Sequence, residues 1–283
     1  MKKFIAIGEI LWDVFPTHKV WGGAPANAIF YAQQLGLEAT MFSAIGRDEL
    51  GRELLEAVEP VGLNLVTAEV DQPTGSVKVT LDEAGNASYE IVENSAWDFV
   101  PFNEGLEKAS SEADLIIFGT LAQRNDLTRS TIHRAVSSRK DSAKVLCDLN
   151  LRQQYYNKAI IEESLRLADF LKINEEELVV LEEMFDKKLN SLIDDYSIEL
   201  VILTLGADGS EIHKAGECYK HAALPGKVVD TVGAGDSFTS CFISHYMNDG
   251  DIAKAQAVAS QLAAHVCAHS GATVGLPKKF IES

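Results

Sequence analysis

The segment Asp230-Thr231-Val232-Gly233-Ala234-Gly235-Asp236-Ser237-Phe238 holds the residue types and spacing best suited to chemistry. Two glycines and an alanine precede a helical pattern that runs on through Phe238, Phe242 and Tyr246. Small residues there let the backbone come close to a ligand. The unpaired N–H groups and positive dipole end of a helix start attract an anion. Asp236 lies inside that first turn. A carboxylate repels a bound phosphate, so its place makes sense if it takes the proton of a hydroxyl that attacks the phosphate. The helix dipole would keep it ionised at neutral pH. The amides of Gly233, Ala234, Gly235 and Asp236 would then stabilise the charge of the transferring phosphoryl group. The same letters also fit an ordinary acidic helix start after a glycine turn, and no Gly-Lys-Ser/Thr follows to make a Walker loop.

The elements that must position this segment alternate along the chain. Apolar runs at Phe4–Ile7, Ala39–Ile45, Leu115–Phe118, Val145–Cys147, Phe170–Ile173 and Leu200–Leu203 read as parallel strands buried on both faces. Helical patterns lie between them, as at Leu127–Arg139 and Ile160–Ala168, and Asp48 can cap a helix carrying Leu50, Leu54, Ala57 and Val58 on one face. This is βαβ architecture, whose ligand sites lie beyond the carboxyl ends of the strands. One segment breaks the alternation. Gly75–Leu81 and Ala87–Val92 are strand-like around the turn signal Asp82–Asn86, a hairpin that serves as a lid, a dimer contact or an edge extension. A last alanine-rich helix carries Ile252, Ala255, Ala259, Leu262, Ala263 and Val266 on one face and is expected to stop at Gly271.

Composition narrows the function. The 283 residues carry 25 Lys plus Arg against 42 Asp plus Glu, a net charge of −17. That argues against broad contact with nucleic acid or an anionic membrane surface, but not against one small anion held by backbone amides. Cys147, Cys218, Cys241 and Cys267 show no paired spacing and read as reduced thiols rather than a disulfide framework or a zinc site. The apolar run after Met1-Lys2-Lys3 is too short for a signal peptide, and the expected compartment is the cytoplasm. His265 and His269 are four apart, but with no third ligand nearby they read as an ordinary helix face.

The nine-residue segment resembles the second signature of the ribokinase-like, or PfkB, family of carbohydrate kinases. Trp21-Gly22-Gly23-Ala24-Pro25-Ala26-Asn27 is similar to that family's N-terminal glycine signature. Asn174-Glu175-Glu176-Glu177 resembles its NxxE motif, Thr204–Gly209 its TxGxxG motif, and Gly271-Ala272 its late Gly-Ala, all in the family's order over nearly the whole chain. The resemblance implies a single domain over 1–283, an α/β protein with a three-layer α/β/α ribokinase-like fold, a mainly parallel central sheet and a small β lid from about 11–20 and 70–100. It implies ATP-dependent phosphorylation of a sugar hydroxyl, with Asp236 matching the catalytic base and Gly233, Ala234 and Gly235 the anion hole.

The remaining candidates take their places around that frame. Asp13 lies just past the first strand, a position suited to a ligand, and in similar sugar kinases it receives two sugar hydroxyls. Gly22 and Gly23 clear backbone for a sugar before a helix whose first turn suits Pro25, and Asn27 offers its amide to a hydroxyl. Asp148-Leu149-Asn150-Leu151-Arg152 resembles the Asp-Pro-Asn-x-Arg segment of fructokinases, with Leu149 where Pro is usual. Arg152 can grip the sugar or the phosphates. Trp97 and Trp12 are candidate sugar walls or lid residues, since aromatic faces stack on sugars and exclude water. Asn174 and Glu177, three apart at a helix start, face one point. In the family this motif organises Mg²⁺ and phosphates, mostly through water. Thr204, Gly206 and Gly209 form a turn under a nucleotide; Asp230, Val232 and Gly271 match positions near a K⁺ site in relatives. Ser260 stands where many relatives carry an adenine-contacting Asn.

The expected activity is therefore transfer of the γ-phosphoryl group of ATP, with Mg²⁺ and K⁺, to a small-molecule sugar. Fructose, phosphorylated on its 6-hydroxyl, is the first choice, on the Gly-Glu-x-Leu-x-Asp start and the DxNxR segment. A kinase for 2-keto-3-deoxygluconate, ribose or a nucleoside, and a non-catalytic sugar or nucleotide sensor on the same fold, are the alternatives. A dinucleotide-dependent oxidoreductase is disfavoured because no GxGxxG follows the first strand. A hairpin clasp between two copies would make a homodimer.

Overall fold

The computed structural model describes residues 1–81, 87–277 and 280, so the expected turn at Asp82–Asn86 lies outside the described residues. A nine-stranded sheet forms the spine. Its strands in chain order are β1 (Lys3–Ile7), β4 (Glu38–Gly46), β5 (Leu65–Val70), β8 (Leu115–Gly119), β9 (Lys144–Asp148), β10 (Phe170–Asn174), β11 (Leu200–Thr204), β12 (Ser210–Lys214) and β13 (Glu217–His221). Across the sheet they run β13-β12-β11-β10-β9-β8-β1-β4-β5. All pairs from β5 to β11 are parallel; β12 and β13 are antiparallel. The expected apolar runs are the strand centres, because a strand covered on both faces has no place for a solvated side chain.

The strands divide their side chains between two cores. Phe4, Ala6, Ile117, Leu146, Phe170 and Ile202 point one way, into a cluster completed by helices α1 (Ala24–Gln34), α2 (Glu49–Val58), α8 (Ala234–Asp249) and α9 (Ile252–Cys267). Their neighbours Ile5, Ile116, Val145, Leu171 and Val201 point the other way. There they meet α3 (Glu104–Glu112), α4 (Asp126–Ser137), α5 (Lys158–Leu167), α6 (Glu175–Phe185) and α7 (Leu189–Tyr196). The result is the expected three-layer α/β/α arrangement. Asp48 caps α2 as expected: Gly51 N–H donates to Oδ1 at 2.8 Å. The last helix ends earlier than the sequence suggests. It stops at Cys267 and turns through Ala268, and Gly271 (φ 91°) lies in the loop beyond, where it serves another group described below.

A second sheet stands apart, in the order β3-β2-β6-β7, from β2 (Leu11–Val14), β3 (Lys19–Gly22), β6 (Ser76–Leu81) and β7 (Ala87–Ile91). The hairpin is thus neither isolated nor an edge extension of the large sheet. Its β6 pairs in parallel with β2, the strand that carries Asp13. Behind this sheet, Arg124 holds Asp98 with two bonds (Nε–Oδ1 2.8 Å, Nη2–Oδ2 2.7 Å) and also donates to Val92 O at the end of β7. The guanidinium stacks on Trp97 at 4.0 Å and on Tyr155 at 4.6 Å.

Candidate active site

The carboxyl ends of β1, β9, β10 and β11 open toward one cleft, into which α8 points its first turn. Gly233 caps α8 with φ 75°, and a Cβ there would lie 2.4 Å from Ala272 O. Only glycine fits that corner. The turn brings Asp236 to the sheet ends, where its Oδ2 accepts from Asn27 Nδ2 at 2.8 Å. Asn27 comes from the first turn of α1, preceded by Gly23 (φ 117°), whose Cβ would strike Glu9 O at 2.4 Å. The two glycine segments foreseen from the sequence therefore meet through their polar residues.

Four further groups surround Asp236, two of them unforeseen. Lys172, in mid-strand on β10, is buried and lies 3.0 Å from Asp148 Oδ1. A Cβ on Gly235 would sit 3.7 Å from its Nζ, so a full positive charge lies beside the helix start. Burial alone would lower the Lys172 pKa, but Asp148, Glu177 and Asp236 outweigh it and hold the group protonated. Asp236 is pushed upward by burial and by Asp148, against the pull of Lys172, Asn27 and Arg152. This corrects the expectation that the helix dipole dominates. The carboxylate is a stronger base than a surface aspartate, as suits proton abstraction.

Glu9, the second unforeseen group, is buried after β1, and its Oε2 has no hydrogen-bond partner among the described residues. Burial pushes its pKa up to about 7, with Asp148 and Asp236 adding to the shift and Arg152 opposing it. Below the ordinary glutamate value, Glu9 holds its proton in both the folded and the unfolded chain. Between there and pH 7 only the folded chain keeps it, so stability falls as pH rises through that window and stays lower above it. Glu9→Gln is expected to flatten that slope in urea melts and to raise stability at pH 8 by roughly 3 kcal/mol. An unchanged slope would show that Glu9 carries no such shift.

Asp13 is half-buried on β2, and burial raises its pKa to about 6 against the opposing charge of Arg152. Gly22 keeps the space before it free, since a Cβ there would lie 3.1 Å from Asp13 Oδ2. Arg152 is exposed above these carboxylates. Its loop is held without the proline of the related pattern: Leu149 N–H donates to Lys172 O (3.0 Å), and Leu151 N–H to Glu177 Oε1 (2.9 Å). A proline at 149 would forfeit the first of these bonds. Glu177 and Asn174 pair with each other as a capping box at the start of α6, at 2.8 and 2.9 Å. Each Glu177 oxygen thus already accepts one backbone N–H.

Thr204 ends β11 directly beside Asn174 in the parallel register, and the turn with Gly206 and Gly209 follows it. Asp230 gathers the K⁺ candidates, with Oδ1 accepting from Val232 N–H at 3.0 Å and Oδ2 from Gly271 N–H at 2.9 Å. Two candidates are not brought to the cleft. Trp97 is fully buried under Arg124, and Trp12 is buried with its Nε1 donating to Leu50 O. Trp12 lies on β2 of the small sheet and Trp97 in the short turn after β7, and both are buried in packing contacts. Ser260 is buried and donates to Gln256 O. Among the described residues no cluster of metal donors includes His265, whose Nε2 faces Gly275 O.

Comparison with known proteins places these features in context. The pfkB family carbohydrate kinase pattern matches residues 6–279. An ATP-dependent 6-phosphofructokinase of Thermoanaerobacterium thermosaccharolyticum is 25% identical over 96% of this chain and 90% of its own. A fructokinase of Klebsiella pneumoniae is 27% identical over 98% of this chain and 97% of its own. Among solved structures, a fructokinase double mutant from Vibrio cholerae with fructose, ADP and potassium bound superposes with a TM-score of 0.82. It is 24% identical and covers 98% of this chain and 96% of its own.

Proposed function

Because the chain belongs to the pfkB family of carbohydrate kinases and so transfers a phosphoryl group to a sugar hydroxyl, we propose that its acceptor is fructose, phosphorylated by ATP on the 6-hydroxyl. The observation that carries the choice of a neutral sugar is the charge of the cleft. Among the described residues, Glu9, Asp13, Asp148, Glu177 and Asp236 face the cations Lys172 and Arg152, and Lys172 is already paired with Asp148. A phosphorylated sugar brings two more negative charges to that environment, at a cost of several kcal/mol for unpaired like charges. The fructokinase relatives support fructose among the neutral sugars.

In this proposal Asp13, cleared by Gly22 and Gly23, accepts sugar hydroxyls, and Asn27 fixes Asp236 in place. Asp236 takes the proton of the attacking hydroxyl, which places the new oxygen nucleophile beside the start of α8. The amides of residues 233–236 and the Lys172 ammonium receive the charge that spreads over the phosphoryl oxygens in flight. Asn174, Thr204, Gly206 and Gly209 form the nucleotide side. The oxygen donors of Asp148 and Glu177 fit a hard cation. With both its oxygens engaged, Glu177 would hold Mg²⁺ through water, and the ion would supply further neutralisation of the phosphates. Asp230, Val232 and Gly271 would hold K⁺. The small sheet, which carries Asp13, is the lid, and its closure keeps water from competing with the sugar.

The test is ADP release with ATP, Mg²⁺ and K⁺ over fructose, ribose, 2-keto-3-deoxygluconate, adenosine and fructose 6-phosphate. The expected result is a kcat/KM for fructose at least about tenfold above every other acceptor, which is 1.4 kcal/mol of discrimination. Preference for fructose 6-phosphate would overturn the charge argument.

A further inference from the structure

Away from the cleft, the β12–β13 hairpin gathers three side chains whose chemistry the kinase reaction does not use. Glu211 and His213 are two apart on β12 and so share a face. Cys218 on β13 is the register partner of His213. His213 Nε2 lies 3.2 Å from Glu211 Oε2, Cys218 Sγ lies 3.5 Å from the same oxygen, and Sγ lies 3.8 Å from Nε2. Zinc bonds of ordinary length at tetrahedral angles place such donors about 3.3 Å apart for nitrogen and oxygen, and about 3.6 Å apart for each pair with sulfur. The three observed spacings fall within a few tenths of an ångström of that triangle.

We infer that Glu211, His213 and Cys218 form a binding site for a divalent transition metal, with Zn²⁺ as the ion that suits a thiolate, an imidazole and a carboxylate together. The donor set argues against Mg²⁺, which takes oxygen ligands and avoids sulfur. Glu211 is oriented for the task. Lys220 pairs with its other oxygen, Oε1, and leaves Oε2 facing the histidine and the cysteine. The chain's net charge of −17 draws cations toward it. Without metal, burial and Glu211 push the Cys218 thiol up, so it is protonated at neutral pH. Binding replaces the S–H bond by an S–metal bond and releases that proton to solvent. Three protein donors leave a fourth tetrahedral position for water. Sequence spacing had left Cys218 an unremarkable thiol, because no two ligands stand in a motif until the hairpin folds them together.

The bound ion would tie β12 to β13 next to the proposed nucleotide turn, since Gly209 precedes β12 and packs on His221 O at the end of β13. The experiment uses the whole kinase, dialysed against chelator and titrated with Co²⁺ as the spectroscopic probe and then with Zn²⁺. The expected result is a stoichiometric thiolate-to-cobalt charge-transfer band in the near ultraviolet, displaced by Zn²⁺. Cys218→Ser should abolish the band, and His213→Ala should weaken binding at least about tenfold. Cys218 is exposed, so the Cys218→Ser protein should melt like the wild type without metal. Absence of the band, or its survival in Cys218→Ser through half-buried Cys267, would overturn the assignment. The readout is independent of turnover, so a failed fructose assay and a failed metal titration are distinguishable.

Discussion

Asp236→Asn is expected to lower kcat by about two to four orders of magnitude, the usual worth of a positioned general base, while leaving the affinities for ATP and sugar within a few-fold. The asparagine keeps the shape of the side chain and can still meet Asn27. What it loses is the capacity to take a proton. The stability readout runs in the opposite direction. Asp148 is a like-charged neighbour that already raises the Asp236 pKa, so removing the charge relieves a repulsion. The variant should therefore melt at the wild-type temperature or above it. A dead, stable, ligand-binding protein is the signature of a lost base. A variant with kcat within a few-fold of wild type sinks the assignment, and one that is inactive because it melts early would point to a packing role instead.

The largest loss of stability is expected at Arg124. Its partner Asp98 is 2% exposed and Arg124 itself 7%. Burial already raises the Asp98 pKa even with the guanidinium in place. Arg124→Ala leaves that carboxylate in the interior without its cation, at a cost of about 3–5 kcal/mol, and strips the stacking partner from Trp97 and Tyr155. Urea unfolding at pH 7 measures the loss directly. The deficit should shrink as pH falls toward 4, because a protonated Asp98 no longer needs a cation. Adding Asp98→Asn to Arg124→Ala should recover a good part of it at pH 7. Equal deficits in the single and double variants, at both pH values, would show that Arg124 acts by packing alone.

How much of this was legible beforehand follows from where each signal resides. Continuous apolar runs mark strands covered on both sides, so β1, β4 and β8–β11 stand in the sequence nearly to their ends. The Gly-Ala-Gly-Asp turn is equally visible, because small residues followed by an acid in the first helical turn form a local pattern. Lys172 was overlooked although a signal exists: a lysine in the middle of Phe170-Leu171-Lys172-Ile173 cannot reach solvent if the run is a buried strand, and so must have a buried partner. Glu9 carries no such signal, since the groups that act on it, Asp148, Arg152 and Asp236, are distant in sequence. Trp97 was misread for a related reason. An aromatic after a hairpin looks like a wall of a cleft until Arg124, distant in sequence, is placed on its ring. The ionisation of Asp236 depends on Asp148, and no local property of the helix start reveals that neighbour.

The hydrogen bond from Asn27 to Asp236 joins positions 209 apart in the chain, and Tyr31 reaches Ala272 O across 241. Contacts of such separation carry the largest loop-closure cost and form late. A nascent or partly folded molecule can therefore complete most of its parallel strands before α1 and α8 come together. During that interval Asp236, the proposed base, and Asn27, which hydrogen-bonds it, belong to separate, unregistered pieces. If Asp236 is the base, as proposed, partly folded intermediates would be catalytically silent, and nucleotide would not be wasted on water until these two distant parts of the polypeptide have closed on each other.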